Sequence, residues 1–492
     1  MLYLSKSKYC SAVQCPKMLW LFKNMPDKCD DSCMNPTVLA NGNEVGDIAM
    51  GLYGEYTEVP YDEPGKMIME TADLISANVP VIAEASFALN GLFCSVDILL
   101  NHGDKRVSIV EVKSSSRIRD IYITDVAYQY HVLEGLGIRV EKASIAHIDT
   151  SYVRHGDLEP DKLFMISDVT DEVREEQAEV QRMLSFLEGY MSRTSEPCDS
   201  IGEQCFSPYQ CGFFHYCGRD LPSPSIFDID GIQIRTKLAN YNKGIISFED
   251  ILSADVLKPD RMLQVEHELK TLPPLIDVTS IACFLKGFSF PLYFLDFESF
   301  QPAIPIFDDS SPYEQIPFQY SLHYIWKAGG ELKHREYLAD AGHDPRRSLA
   351  EQLCLDIPRG VCTVAYNMAF EKARIKRLAE LCPDLSEHLM DIHDHMVDLM
   401  VPFKRRWYYN KAMKGSYSIK YVLPALFPDD PELDYSNLDG VHNGTEASAA
   451  FEKMASMTPE ERDKCRDDLL KYCCLDTLAM VKIWQKLTRL ST

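Results

Sequence analysis

The sequence predicts an α/β protein with two α/β segments, residues 1–220 and 286–492, separated by a linker or small helical bridge over 221–285. Three observations predict it. A chain of 492 residues has the length of two or three domains, and 46% apolar with 25% charged side chains is ordinary globular composition. Apolar runs of period two, punctuated at Asn90-Gly91 and His102-Gly-Asp, alternate with runs of helical period. The breaker cluster Leu221-Pro-Ser-Pro-Ser divides the two sets.

In the first segment the patterns predict a short helix over 44–52, strands over 83–89, 92–100 and 107–113, a helix over 122–136 and a strand over 142–148. Asn-Gly between two alternating runs is the local chemistry of a tight hairpin. Helix-like spacing recurs in the bridge at 245–257 and 260–269. The second segment reads as strands over 292–297, 319–326 and 331–337, a helix over 345–355, a strand over 361–366, and helices over 369–381, 419–425 and 464–490. Three strands, a helix, a strand and further helices is the order of a ribonuclease-H-like domain.

Composition excludes several functional classes. No apolar run reaches the roughly 18 residues of a membrane span, so no membrane partner is expected. The N-terminal residues show no apolar core of a secretory signal, and the cytoplasm is the expected compartment. There, 16 cysteines are available to metals, clusters or catalysis instead of disulfides. A formal charge of -24 repels nucleic acid unless basic residues are gathered locally. No Gly-x4-Gly-Lys-Ser/Thr loop occurs, so no nucleotide-driven motor is expected.

Asp97 lies in Cys-Ser-Val-Asp-Ile-Leu-Leu, and Ile-Val-Glu-Val-Lys follows, so Glu111 and Lys113 share one face of a strand. Two carboxylates on neighbouring strands can hold a hard divalent cation, Mg²⁺ or Mn²⁺, while the ammonium supports an attacking water or developing phosphate charge. The arrangement resembles the PD-(D/E)xK nuclease superfamily in its RecB branch, which implies a restriction-endonuclease-like fold and phosphodiester hydrolysis. The resemblance also implies an acid on the preceding helix and a glutamine on the following one. Glu44 and Gln129 stand at those places, although Glu44 is equally readable as a helix surface charge.

Cys198-x6-Cys205-x5-Cys211-x5-Cys217 follows the first segment, and Cys15 stands far upstream before Pro16-Lys17. Spacings of five and six fit a zinc knuckle poorly, whereas a 4Fe-4S cluster tolerates diverse spacing. Zinc and unligated core thiols remain alternatives. The pattern is similar to iron-sulfur nucleases of the RecB branch, with one cysteine before the nuclease core and three after it. That resemblance implies Cys15, Cys205, Cys211 and Cys217 as ligands, with Cys198 an alternative to Cys15 and with Cys10, Cys29 and Cys33 as rival thiols.

Tyr293-Phe-Leu-Asp-Phe-Glu-Ser-Phe delivers Asp296 and Glu298 to one face of an apolar strand, and Tyr472 and Asp476 lie one helical turn apart. Glu371 lies between them at a strand-to-helix passage, where Asp391, Asp394 and Asp398 are possible substitutes. Adjacent buried acids call for cations, and two ions can hold an attacking water and a leaving oxygen. The set resembles DnaQ-like 3′-5′ exonucleases of the DEDDy subclass, with Glu371 where that family carries aspartate and with Tyr472 orienting the water.

Between these motifs, 404–420 carries Lys404, Arg405, Arg406, Trp407, Lys411, Lys414 and Lys420 with no acid, the composition of a single-strand-binding wall. The whole chain resembles an uncharacterised bacterial family that fuses a RecB-type iron-sulfur nuclease domain to a DnaQ-like domain, through Tyr152-Val-Arg-His-Gly, Gly415-Ser-Tyr-Ser-Ile-Lys and Tyr472-Cys-Cys-Leu-Asp-Thr-Leu-Ala-Met. The expectation is a metal-dependent nuclease with two active sites acting on DNA. RNA as substrate, a single active head beside a binding platform, and a non-catalytic iron-sulfur nucleic-acid-binding protein are the alternatives.

Overall fold

The computed structural model describes residues 3–30 and 36–491, the side chains of 36–41 excepted, and it is a mixed α/β chain. Two compact units form, the first from residues 1–220 and 302–313, the second from 221–301 and 314–492.

The first unit is built on a seven-stranded sheet: β1 (Leu4–Ser5), β2 (Thr57–Glu58), β3 (Val81–Leu89), β4 (Leu92–Asn101), β5 (Arg106–Lys113), β6 (Arg139–Ile148) and β7 (Phe164–Asp168). Strands β2 to β7 lie in sequence order, and β1 pairs in parallel with the start of β4. Asn90 and Gly91 both take positive φ, which matches the right-handed twist of the β3–β4 hairpin. The chain crosses from β5 to its parallel neighbour β6 through the helix Asp120–Gly135. That helix is apolar on more than one face because it packs on the sheet and also against the helices Lys6–Gln14 and Gln177–Met191. Segment 302–313 belongs to this unit. Ala303 and Ile304 enter a core with Val45, Ile148 and Tyr152, while Arg154 Nη1 donates to the Pro305 carbonyl at 3.1 Å.

The second unit carries a sheet in the order β11-β10-β9-β12-β13, from β9 (Leu292–Phe300), β10 (Ile316–Ile325), β11 (Leu332–Leu338), β12 (Cys362–Ala365) and β13 (Met396–Asp398). Strands β9 to β11 are antiparallel, and β12 and β13 run parallel to β9. The helix Pro459–Leu490 lies against β9, β10 and β11. It starts at a capping box between Thr458 and Glu461, with proline as its first residue. The helices Arg346–Asp356 and Ala369–Leu381 share a second core with Leu295 and Tyr320.

The stretch 221–285, expected as a bridge, is part of this second unit. Its helices Phe248–Ala254 and Pro259–Lys270 bury Ile251, Met262 and Val265 in a core of their own, and Ile281 joins the core of the terminal helix. A two-stranded ladder between β8 (Leu275–Ile276) and β14 (Tyr408–Tyr409) adds to this. Among the described residues, no helix is long and apolar enough to cross a membrane.

Phe294 is fully buried on β9 against Trp484. Its replacement by alanine should cost about 3–5 kcal/mol in urea unfolding. Leu355→Ala, at a position 75% exposed, should stay within about 0.5 kcal/mol of wild type in the same measurement.

Candidate functional site

Strands β4 and β5 pair antiparallel up to Ile98 opposite Val110. The alternation of side chains then sets Asp97 and Glu111 beside one another at the end of the ladder. The Val112 N–H donates to Asp97 Oδ2 at 2.7 Å. Lys113 Nζ donates to Glu111 Oε1 at 2.6 Å, and Gln129 Nε2 donates to Glu111 Oε2 at 2.6 Å. Glu111, Lys113 and Gln129 therefore form one bonded group, with Asp97 held beside it by the Val112 backbone.

Three further residues complete it that the sequence reading missed. Asp125 accepts from Lys113 Nζ at 2.7 Å and sits one turn before Gln129 on the same helix, an i, i+4 spacing by which it could have been found. Lys6 Nζ donates to Asp97 Oδ1 at 3.1 Å and to both oxygens of Glu111 at 3.0 Å. Nothing near Lys6 in the chain signals this. Glu84 takes φ 55 in β3, where the register passes from Ala83–Ile98 to Ala85–Val96, which places it across from Asp97. Burial first, then Asp97, pushes its carboxyl up to about 7. Glu44, by contrast, is exposed, and the charge its carboxyl feels is Asp47. The expected role of Glu44 is corrected accordingly, because Glu84 and not Glu44 faces Asp97.

Burial would raise Glu111, but the Lys113 and Lys6 ammoniums outweigh it and hold the carboxyl well below its usual range. Asp97 is raised, by burial and then by Glu111, against both lysines. The oxygens converging on Lys6 Nζ define a cation-binding point, and a hard divalent ion fits such a donor set. Beside it lies a cavity of about 680 Å³ lined by Lys6, Gln14, Lys113, Arg119, Tyr122 and Tyr209 among others.

The thiols of Cys15, Cys205, Cys211 and Cys217 converge elsewhere in the same unit. Cys211 feels the other three, and Cys217 feels Cys205 and Cys15; burial raises all of them. Gln14 Nε2 donates to the Gln204 carbonyl at 2.8 Å and to the Tyr209 carbonyl at 2.7 Å, closing the N-terminal helix onto the late loop. Cys198 is exposed, Cys10 instead lines the cavity by Lys6, and Cys33 lies outside the described residues. Cys29 is half-buried beside Gly212.

In the second unit β9 points Asp296 and Glu298 toward the terminal helix, where Cys473 Sγ lies 3.9 Å from Asp296 Oδ2. Asp476 accepts from the hydroxyls of Tyr435 and Tyr472. Asp296 is raised well above its ordinary value by burial and then by Asp476, Glu371 and Glu298. Burial pushes Glu298 and Glu371 up to about 8 and Asp476 to about 6. Lys420 opposes this at Glu298 and Asp476. Glu371 Oε2 is buried without a hydrogen-bond partner. Three buried acids and the half-buried Asp296 with so little compensation, one of them holding an orphaned oxygen, fit metal cations. Of the substitutes considered for Glu371, Asp398 accepts from the backbone of Asn367 and Met400, Asp391 from Gly360, and Asp394 meets His393.

The basic segment divides. Lys404, Arg405, Lys411, Lys414 and Lys420 are exposed, with Lys411 paired to Glu268 at 3.0 Å. Arg406 and Trp407, expected to meet nucleic acid, face inward instead: Arg406 donates to the Gly415 carbonyl and lies over Tyr409, and Trp407 packs on Phe284. Tyr408 and Tyr409 are buried. These rings complete the core because the β14 ladder turns them inward.

A protein-family model described as a domain of unknown function, DUF2779, matches residues 293–418, a span holding Asp296, Glu298 and Glu371. UU173, an uncharacterised protein of Ureaplasma parvum serovar 3, is 28% identical over 255 residues, covering 48% of this chain and 36% of that protein. The chain thus matches about a third of the length of this curated relative.

Carboxyls held near 8 in the folded chain stand near 4 in an unfolded one. Between these values the unfolded chain has released protons that the folded chain keeps, so metal-free stability falls as pH rises. In chelator, Tm should drop by a few degrees between about pH 5 and pH 8, and by less in Glu371→Gln. Added Mn²⁺ should raise Tm more at pH 8 than at pH 6, since ions take ionised carboxylates. Thermal melts at both pH values check this, and an unchanged slope in Glu371→Gln would contradict it.

Proposed function

We propose that this protein is a metal-dependent nuclease hydrolysing phosphodiester bonds of DNA, with one active site in each unit. The observation that carries the reading is the bonding of Lys113 and Gln129 to Glu111, with Lys6 bridging Glu111 to Asp97, beside an open cavity. The strand order of the first unit supports a restriction-endonuclease-like fold. Three antiparallel strands followed by strands parallel to the first support a ribonuclease-H-like fold in the second.

Mg²⁺ or Mn²⁺ held by Asp97 and Glu111, and by Asp296, Glu298, Glu371 and Asp476, supplies Lewis acidity to the scissile phosphate and a nucleophilic water. The chain's own groups do the rest. Lys113, anchored by Glu111 and Asp125, stays protonated and meets the charge that develops on the phosphate. Gln129 fixes the rotamer of Glu111. Tyr472 remains a neutral phenol, able to orient a water while Tyr435 holds Asp476 in place. Exposed Lys404, Arg405, Lys414 and Lys420 offer phosphate contacts in the second unit.

Cys15, Cys205, Cys211 and Cys217 hold a 4Fe-4S cluster in this reading, with a structural role. Cys198 is left out because its thiol is exposed, and reduced thiols suit a cytoplasmic setting.

End-labelled single-stranded DNA, duplex DNA and RNA, each with Mg²⁺ or Mn²⁺, test the reading with wild type, Asp97→Ala and Asp296→Ala. Each substitution should abolish one product pattern by at least about a hundredfold and leave the other. Identical behaviour of all three proteins on every substrate would refute it. Cys211→Ser, purified without oxygen, should lose the iron and visible absorption of the wild type and lower the Tm of the first unit's transition. Retention of full iron content in that variant would remove Cys211 from the ligand set.

A further inference from the structure

We propose that His323, His334 and Cys474 form a zinc site in the second unit, separate from the carboxylate group and independent of the nuclease reading. His323 and His334 are directly opposed in the β10–β11 ladder, so both rings stand on one face of the sheet, their centroids 4.4 Å apart. The terminal helix crosses that face and adds Cys474. One candidate ligand atom from each residue lies within 4.8 Å of the other two. Zinc at 2.0–2.3 Å from imidazole nitrogen and thiolate holds its ligands roughly 3.3–3.8 Å apart, so small side-chain rotations close the site.

The surroundings already orient the rings. Thr477 Oγ1 lies 2.7 Å from His323 Nδ1, and Ser321 Oγ lies 2.9 Å from His334 Nε2. The two hydroxyls are themselves 2.7 Å apart. Each imidazole thus has one nitrogen engaged, which leaves His323 Nε2 and His334 Nδ1 as the ligand atoms. Outer partners of this kind set tautomer and ring direction in metal sites. Glu336 shares the strand face with His334 and lines, together with His334, Lys471 and Cys474, a cavity of about 640 Å³. The fourth position opens toward that cavity.

Two imidazoles and a thiolate select zinc over the hard ions that suit the carboxylates. Asp296 pairs with Ser321 in the neighbouring ladder, so the zinc site stands farther along the sheet toward its edge. An ion there would tie edge strand β11 to the helix that carries Tyr472 and Asp476.

The test uses the full chain, with Mg²⁺ in excess to fill hard-ion sites. Zn²⁺ uptake is measured by calorimetry and Co²⁺ uptake by absorption, for wild type, His334→Ala and Cys474→Ser. Both positions are partly exposed, and circular dichroism before metal addition confirms that each variant is folded. Wild type should take one Zn²⁺ equivalent that each variant binds at least about tenfold more weakly. The Co²⁺ spectrum of wild type minus Cys474→Ser should show a thiolate-to-cobalt charge-transfer band. Equal stoichiometry and affinity in all three proteins would overturn the site. A Co²⁺ difference spectrum without the thiolate band would overturn the ligand set.

Discussion

Carboxylates buried beside one another must be neutralised, and the rest of both units is arranged around that requirement. In the first unit the compensation is internal. Lys6 and Lys113 reach Asp97, Glu111 and Asp125 from two different helical and strand elements, and Glu111 stays ionised although it is 2% exposed. In the second unit Lys420 opposes Glu298 and Asp476, and Arg374 opposes Glu371, but burial outweighs them and protons take the place of cations. The same chemical problem is met in one case by ammonium groups and in the other by raised proton affinity. In the first unit the oxygens of Asp97 and Glu111 converge on Lys6 Nζ, and in the second Asp296 and Glu298 stand together beside Cys473.

The nine-residue helix Lys6–Gln14 connects two features that are far apart in sequence from the residues they serve. Lys6 at its start enters the carboxylate group, Cys10 lines the cavity, and Cys15 follows its end among the converging thiols. At 1.5 Å per residue the backbones of Lys6 and Cys15 stand about 14 Å apart along one rigid rod. Whatever holds the thiols therefore also holds the position of Lys6. The side-chain amide of Gln14, bonded to two carbonyls of the late loop, reinforces the same clasp.

In the second unit the terminal helix plays the corresponding part. Its successive residues face three different tasks: Tyr472 and Asp476 meet the acids of β9, Cys473 lies on Asp296, and Cys474 with Thr477 meets the histidines of β10 and β11. A helix of 3.6 residues per turn laid across a twisted sheet distributes neighbouring residues in this way. The basic segment obeys another constraint. Arg406, Trp407, Tyr408 and Tyr409 read as a binding surface by composition, yet the β8–β14 ladder needs apolar filling and draws the rings inside.

Local pattern was enough for the strands and helices that carry Asp97, Glu111, Gln129, Asp296 and Asp476, because alternation and turn chemistry act within a few residues. By itself the sequence determined the α/β class, the three acid-bearing strands and the thiols available to a clasp. Only the tertiary structure decided that Lys6 enters the carboxylate group, that Glu84 and not Glu44 faces Asp97, and that residues 302–313 pack in the first unit. It also brought His323, His334 and Cys474 together. The reason is physical: each of these depends on contacts between residues distant in the chain, whose meeting is set by packing and charge balance over the whole unit and leaves no periodic trace in the sequence.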